Sequence, residues 1–235
     1  MLQNINDLYG IKLAATDGEI GKIQDFYFDD QRWAVRYLVA DTGSWLTGRL
    51  VLISPHALGE FDREKKQLHV NLTRDQIEKS PSIGTHLPVS RQYERDYYTY
   101  YGWPTYWTGD LIWGTYGFPV VDSQPPGAPL HRGHIHHGDT HRDDLHLRSA
   151  QVIKGYDIQA TDASIGSVTS FLVDDKSWAV GELVVETGHW YASKEILISP
   201  SKIDRISYPE SKVFVNLTTA DIQSTAENDV AKAGV

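Results

Sequence analysis

The sequence contains no cysteine, so disulfides, thiolate metal ligands and cysteine nucleophiles are excluded. No run approaches the roughly 18 apolar residues of a membrane-spanning helix. The first residues, MLQNINDLYGIKLAATDG, lack the basic region followed by an apolar core that marks a secretory signal, so a cytoplasmic protein is expected. Positive charge is scarce: 22 Lys and Arg stand against 31 Asp and Glu, a net charge of -9. That balance disfavours a binder of nucleic-acid phosphates, which needs basic surface to displace counterions, and disfavours docking on anionic lipid. The G-x-S-x-G, H-E-x-x-H and glycine-rich phosphate-loop motifs are also missing. What is present is ordinary for a folded protein. With 235 residues, 40% hydrophobic and 23% charged, the chain suffices for one large or two small domains.

An internal repeat sets the organisation. A shift of 145 positions places Gly10–Thr73 on Gly155–Thr218 without a gap, with 25 identities in 64 positions. The matches include Ala15-Thr16-Asp17 with Ala160-Thr161-Asp162, Asp29-Asp30 with Asp174-Asp175, and Val70-Asn71-Leu72-Thr73 with Val215-Asn216-Leu217-Thr218. Repetition over a domain length points to two copies of one fold.

Each copy reads as short strands separated by turns. In the first, strands are expected over Ile20–Phe28, Trp33–Ala40, Arg49–Ile53 and Gln67–Asn71. Asp29-Asp30-Gln31-Arg32 and Asp41-Thr42-Gly43 carry turn chemistry. Ser54-Pro55 opens a single helical turn at most. Thr73 and Gln76 have capping-box spacing for a short helix that ends before Pro81. Trp33 and Trp178, at equivalent positions, are expected to cover the two cores. The fold class is therefore mainly β: two small antiparallel β-barrels joined by a long linker. The expected bounds are 1–80 for the first repeat, 81–149 for the linker, 150–225 for the second repeat and 226–235 for a frayed tail.

Within the linker, Tyr93–Tyr116 holds seven tyrosines and three tryptophans, interrupted by Gly102, Pro104, Gly109 and Gly114, so no regular element is expected there. These rings either pack on barrel surface or, at Tyr100, Tyr101, Trp103 and Trp107, present a partner-binding surface. A base-stacking platform would need interleaved basic residues, and the stretch offers only Arg95. The following segment has the composition of a flexible linker, with His131, His134, His136, His137, His141 and His146 near Asp139, Asp143 and Asp144. It has too few apolar residues to hold ligands in fixed geometry, so no metal or cofactor is expected.

The stretch IGKIQDFYFDDQRWAVRYLVADTGSWLTGRLVLISPHAL resembles a PRC-barrel domain. The matching pieces are Ile20-Gly21, Asp29-Asp30, Trp33, Tyr37-Leu38-Val39, Asp41-Thr42-Gly43, Trp45 and Leu52-Ile53-Ser54-Pro55. The second copy departs at Gly181-Glu182 and at Tyr191-Ala192-Ser193-Lys194. The resemblance implies a bacterial, non-enzymatic adaptor or assembly module that binds a protein partner. In the two-copy form it suggests pairing of the barrels within the chain. The family also includes the cytoplasmic barrel of the photosynthetic reaction-centre H subunit and a domain of a ribosome-maturation factor. A component of a photosynthetic or redox complex and a ribosome-associated factor are thus the alternatives. The carboxylate pairs Asp29-Asp30 and Asp174-Asp175 are expected to form turns rather than to catalyse.

Overall fold

The structure of the protein, a computed structural model, describes residues 1–81, 89–120, 147–188 and 194–224. The described residues fall into two compact units, one drawn from Asp7–Arg148 with Lys176–Ala179, the other from Met1–Asn6, Ser149–Asp175 and Val180–Val235.

The first unit is built on a seven-stranded sheet. Its strands are β2 (Lys12–Ala15), β3 (Gly18–Asp29), β4 (Ala34–Asp41), β5 (Leu50–Ile53), β6 (Leu58–Asp62), β7 (Gln67–Val70) and β8 (Leu147–Ser149). The order is β5-β4-β3-β2-β7-β6, with β8 on the free stretch of β3. Neighbours are antiparallel except β2 and β7. The long hairpin β3–β4 carries the core: Ile20, Ile23, Phe26, Phe28, Val35, Leu38 and Val39 are buried. Burial of each such side chain contributes about 1.5–3 kcal/mol. Gly21 lies where β3 bends across β4, and a Cβ there would strike the Asp41 carbonyl. The expected cap at Ser54 and the capping box of Thr73 with Gln76 both form, opening a 3-10 turn at Pro55–Ala57 and helix α1 (Arg74–Glu78).

The second unit repeats this plan with β9 (Asp157–Gln159), β10 (Ser164–Asp174), β11 (Val180–Thr187), β12 (Glu195–Ile198), β13 (Ile203–Ser207) and β14 (Lys212–Val215). Its order is β12-β11-β10-β9-β14-β13. The seventh strand, β1 (Leu2–Asn4), comes from the start of the chain and pairs with β10. Each sheet thus takes its extra strand from the segment that precedes the other repeat. In neither sheet does the strand order close into the barrel expected from sequence, since β5 does not pair with β6 nor β12 with β13.

The structure corrects two further expectations. A regular helix, α2 (Arg91–Tyr101), occupies part of the stretch read as irregular. Ser90 caps its start by accepting from the Tyr93 amide, and Gly102 ends it at φ 73°, a left-handed conformation that glycine adopts without strain. Its buried positions, Glu94, Tyr97, Tyr98 and Tyr101, have the spacing of one helix face. The second correction concerns Trp33. It precedes β4 at φ 50°, half-buried and stacked on Phe28 at 5.6 Å, so it caps the edge of the core. Trp178 has the same left-handed turn conformation but is buried.

Candidate functional site

A β-bulge creates the most unusual chemistry of the first unit. In the β3–β4 ladder Tyr27 pairs with Tyr37 and Phe28 with Val35, which leaves Arg36 as the extra residue. A bulge re-aims side chains that would otherwise alternate between faces. Arg36 and Tyr37, adjacent in sequence, consequently both reach the aromatic layer supplied by α2 and residues 103–120.

Arg36 is fully buried. It donates to Asp29 Oδ2 at 3.0 Å and to the Ile112 carbonyl at 2.7 Å, and its guanidinium lies 3.9 Å from the Tyr106 ring centre and 4.8 Å from that of Trp113. An unpaired charge in this setting would be strongly destabilising, and the carboxylate, carbonyl and ring faces together offset its desolvation. Glu94, also fully buried, accepts from the hydroxyls of Tyr37 at 2.8 Å and Tyr106 at 2.7 Å, and lies 2.9 Å from Arg91. Burial, then the Glu94 charge, pushes the Tyr37 hydroxyl well above its ordinary pKa, so it stays a donor. Three tyrosines of α2 donate to backbone carbonyls: Tyr93 to Pro81, Tyr97 to Leu52 and Tyr100 to Gln76, each at 2.9 Å. The Tyr97 hydroxyl also accepts from the Ser54 amide at 3.2 Å. It therefore completes the outer edge of β5 as a further strand would.

His56 lies beneath this layer, stacked on Trp103 at 5.5 Å and edge-on to Trp113 at 5.0 Å. Its Nδ1 is 2.8 Å from the Val120 carbonyl. A carbonyl only accepts, so Nδ1 carries the proton and Nε2 is left as a buried lone pair without a hydrogen-bond partner. Burial, reinforced by Arg36 and opposed by the Val120 bond, lowers its pKa to about 4.

The four residues singled out from sequence belong to this layer. Tyr101 is only 4% exposed and stacks on Trp103 at 4.4 Å. Tyr100 and Trp103 are half-buried, and Trp107 packs against Tyr98, Tyr106 and the Arg91 guanidinium. Asp29 accepts from the amides of Gln31 and Arg32 besides pairing with Arg36, and Asp30 pairs with Arg148 at 2.6 Å. Asp174 and Asp175 pair with the Met1 amino group. The histidines His131, His134, His136, His137, His141 and His146, and Asp139, Asp143 and Asp144, lie outside the described residues. Among the described residues no group of three potential ligands could hold a metal ion, and no helix is long and apolar enough to cross a membrane.

Sequence reasoning missed what this layer supports. Arg32 donates to the carbonyls of Tyr106, Gly109 and Leu111, each at 2.7 Å, and clamps the loop that follows α2. Trp113 Nε1 donates to the Ser177 carbonyl at 2.6 Å. At Gly114, with φ 76°, a Cβ would lie 2.6 Å from the carbonyls of Thr105 and Thr108. This fixed loop holds three large apolar side chains in solvent: Leu111 at 51%, Tyr116 at 46% and Phe118 at 59% exposure. A possible signal was the run of apolar residues at 111–113 and 116–121 in a stretch with too many glycines to bury them all.

The arrangement is buried at its ionic centre, Arg36 and Glu94, and carries exposed apolar side chains at its rim. No curated protein matches the chain. The family model of the PRC-barrel domain matches residues 3–77, so the PRC-barrel resemblance holds over the first repeat.

Proposed function

We propose that this protein is a non-enzymatic scaffold, a tandem of PRC-type β domains arising by duplication, whose first copy displays a protein-docking loop. The recurrence of strands at the same offset, β5 at Leu50–Ile53 and β12 at Glu195–Ile198, supports the duplication. The observation that carries the docking function is the exposure of Leu111, Tyr116 and Phe118 on a backbone held by Arg32, Arg36 and Trp113. Exposed apolar side chains that lie close together mark interaction sites. A fixed backbone lowers the ordering cost of binding. The buried Arg36 and Glu94 serve to seat α2 and the loop on the sheet.

The test is quantitative affinity capture with the parent and with the double variant Leu111→Asp/Phe118→Asp as baits. Both side chains project into solvent, so the variant should melt like the parent while losing a specific subset of captured proteins. Recovery of the same proteins in the same amounts by both baits would refute the docking function.

A further inference from the structure

The face of the sheet that α2 covers in the first unit has a counterpart in the second unit, and among the described residues that face is uncovered along β12, although Val184 on β11 is buried. Leu52 of β5 is 2% exposed, whereas Leu197, the same residue type at the equivalent place on β12, is 47% exposed. Pro55, His56 and Ala57 are all buried, but none of Pro200, Ser201 and Lys202 is. The Tyr97 hydroxyl bridges the Leu52 carbonyl and the Ser54 amide, and no hydroxyl stands against the Leu197 carbonyl and Ser199 amide among the described residues.

The surroundings have also changed in charge. Glu186 on β11 and Glu195 on β12 are direct cross-strand partners, and both are exposed. Neither has a hydrogen-bond or ion-pair partner among the described residues. Like charges directly opposite on a sheet are destabilising, so a compensating cation is favoured there. Two pairs further along, on the same face, the exposed Leu197 faces the buried Val184, and Glu182 occupies the position of Tyr37. The result is a central leucine bordered by carboxylates, on a face that this fold elsewhere uses to seat a helix.

We infer that the β11–β12 face of the second unit docks a basic amphipathic helix of a protein partner. The partner helix presents an apolar or tyrosine side chain to Leu197 and lysine or arginine to Glu186 and Glu195. The α2 of a second copy does not fit, because that helix is already seated on its own sheet with Glu94, Tyr97, Tyr98 and Tyr101 buried. This inference rests on the scaffold reading only for the partner being a protein.

The experiment uses the full chain and a stapled synthetic helix carrying leucine and tyrosine on one face, flanked by lysines. One control helix replaces the lysines with glutamate, and another has the sequence 90–102 of this protein. Nuclear magnetic resonance should map the lysine helix to β11 and β12 at low salt, with neither control binding there. The exposed double variant Glu186→Gln/Glu195→Gln should weaken binding about fivefold, as expected for two surface charge pairs. Leu197→Ser should weaken it further without shifting the melting curve. Equal affinity for the glutamate helix, shifts confined to other surfaces, or undiminished affinity of the glutamine variant would overturn the inference. If that happens while Leu111→Asp/Phe118→Asp still loses its partners, the scaffold reading stands and only this second surface falls.

Discussion

His56 gives the aromatic layer a measurable pH signature. Its pKa falls from an ordinary 6.5 to about 4 in the folded protein, chiefly because the ring is buried. The groups facing it are Arg36, whose charge disfavours a second cation, the rings of Tyr98, Trp103 and Trp113, and the Val120 carbonyl. Between pH 6.5 and 4 the unfolded chain binds a proton at this residue and the folded chain does not, so folding loses stability as pH falls through that window. The contribution is fully present above pH 6.5. At pH 4.5 the loss amounts to about 2–3 kcal/mol, a large share of a domain's usual margin. Urea unfolding of the parent and of His56→Phe, followed by tryptophan fluorescence at pH 7.5 and 4.5, isolates this residue, since other titrating groups act alike in both proteins. The parent should lose about 2–3 kcal/mol more than the variant on acidification. A direct titration of the His56 ring protons should show a midpoint near 4. Equal losses in the two proteins, with a ring midpoint near 6.5, would mean that the layer is open to water and that the packing described for it is wrong.

Tyr97→Phe removes the hydroxyl shared by Leu52 and Ser54 and should cost about 1–3 kcal/mol of stability in denaturant titrations, the penalty of unpaired buried backbone groups. Arg32→Ala should leave the sheet intact but raise hydrogen exchange at the Leu111 and Gly114 amides, whose loop loses three guanidinium contacts. Trp33→Ala should cost less than the roughly 3–5 kcal/mol of a fully buried tryptophan, because the ring is only partly buried, and thermal melting measures the difference. Replacing Tyr100, Tyr101, Trp103 and Trp107 together with serine should unfold the first unit or strip α2 from its sheet, as seen by near-ultraviolet circular dichroism.

The parts of the fold that were legible in the sequence are those written in local chemistry. The β3–β4 hairpin, the cap at Ser54 and the capping box at Thr73 follow from alternation and side-chain hydrogen bonding within a few residues. Helix α2 is hard to see in the sequence because glycines and Pro104 punctuate the stretch, although the first of them, Gly102, follows the helix and terminates it. Its signal was present in Ser90 and in the spacing of Glu94, Tyr97, Tyr98 and Tyr101. The strands β1 and β8 were not legible, because each is three residues long and owes its conformation to the sheet it joins. The bulge at Arg36 depends on register between two strands, which no short window of sequence contains. The burial of Arg36 and the exposure of Leu111, Tyr116 and Phe118 therefore leave no mark in local sequence patterns.

Site-specific photo-crosslinking in cells tests the scaffold claim most directly. A photoreactive phenylalanine analogue at Phe118 on the docking loop should yield one or a few discrete protein adducts. The same analogue at Gln92, exposed on α2, should yield none of them. Identical faint adducts from both positions, or none from Phe118, would contradict the claim that this protein works by holding a partner on the surface its aromatic core supports.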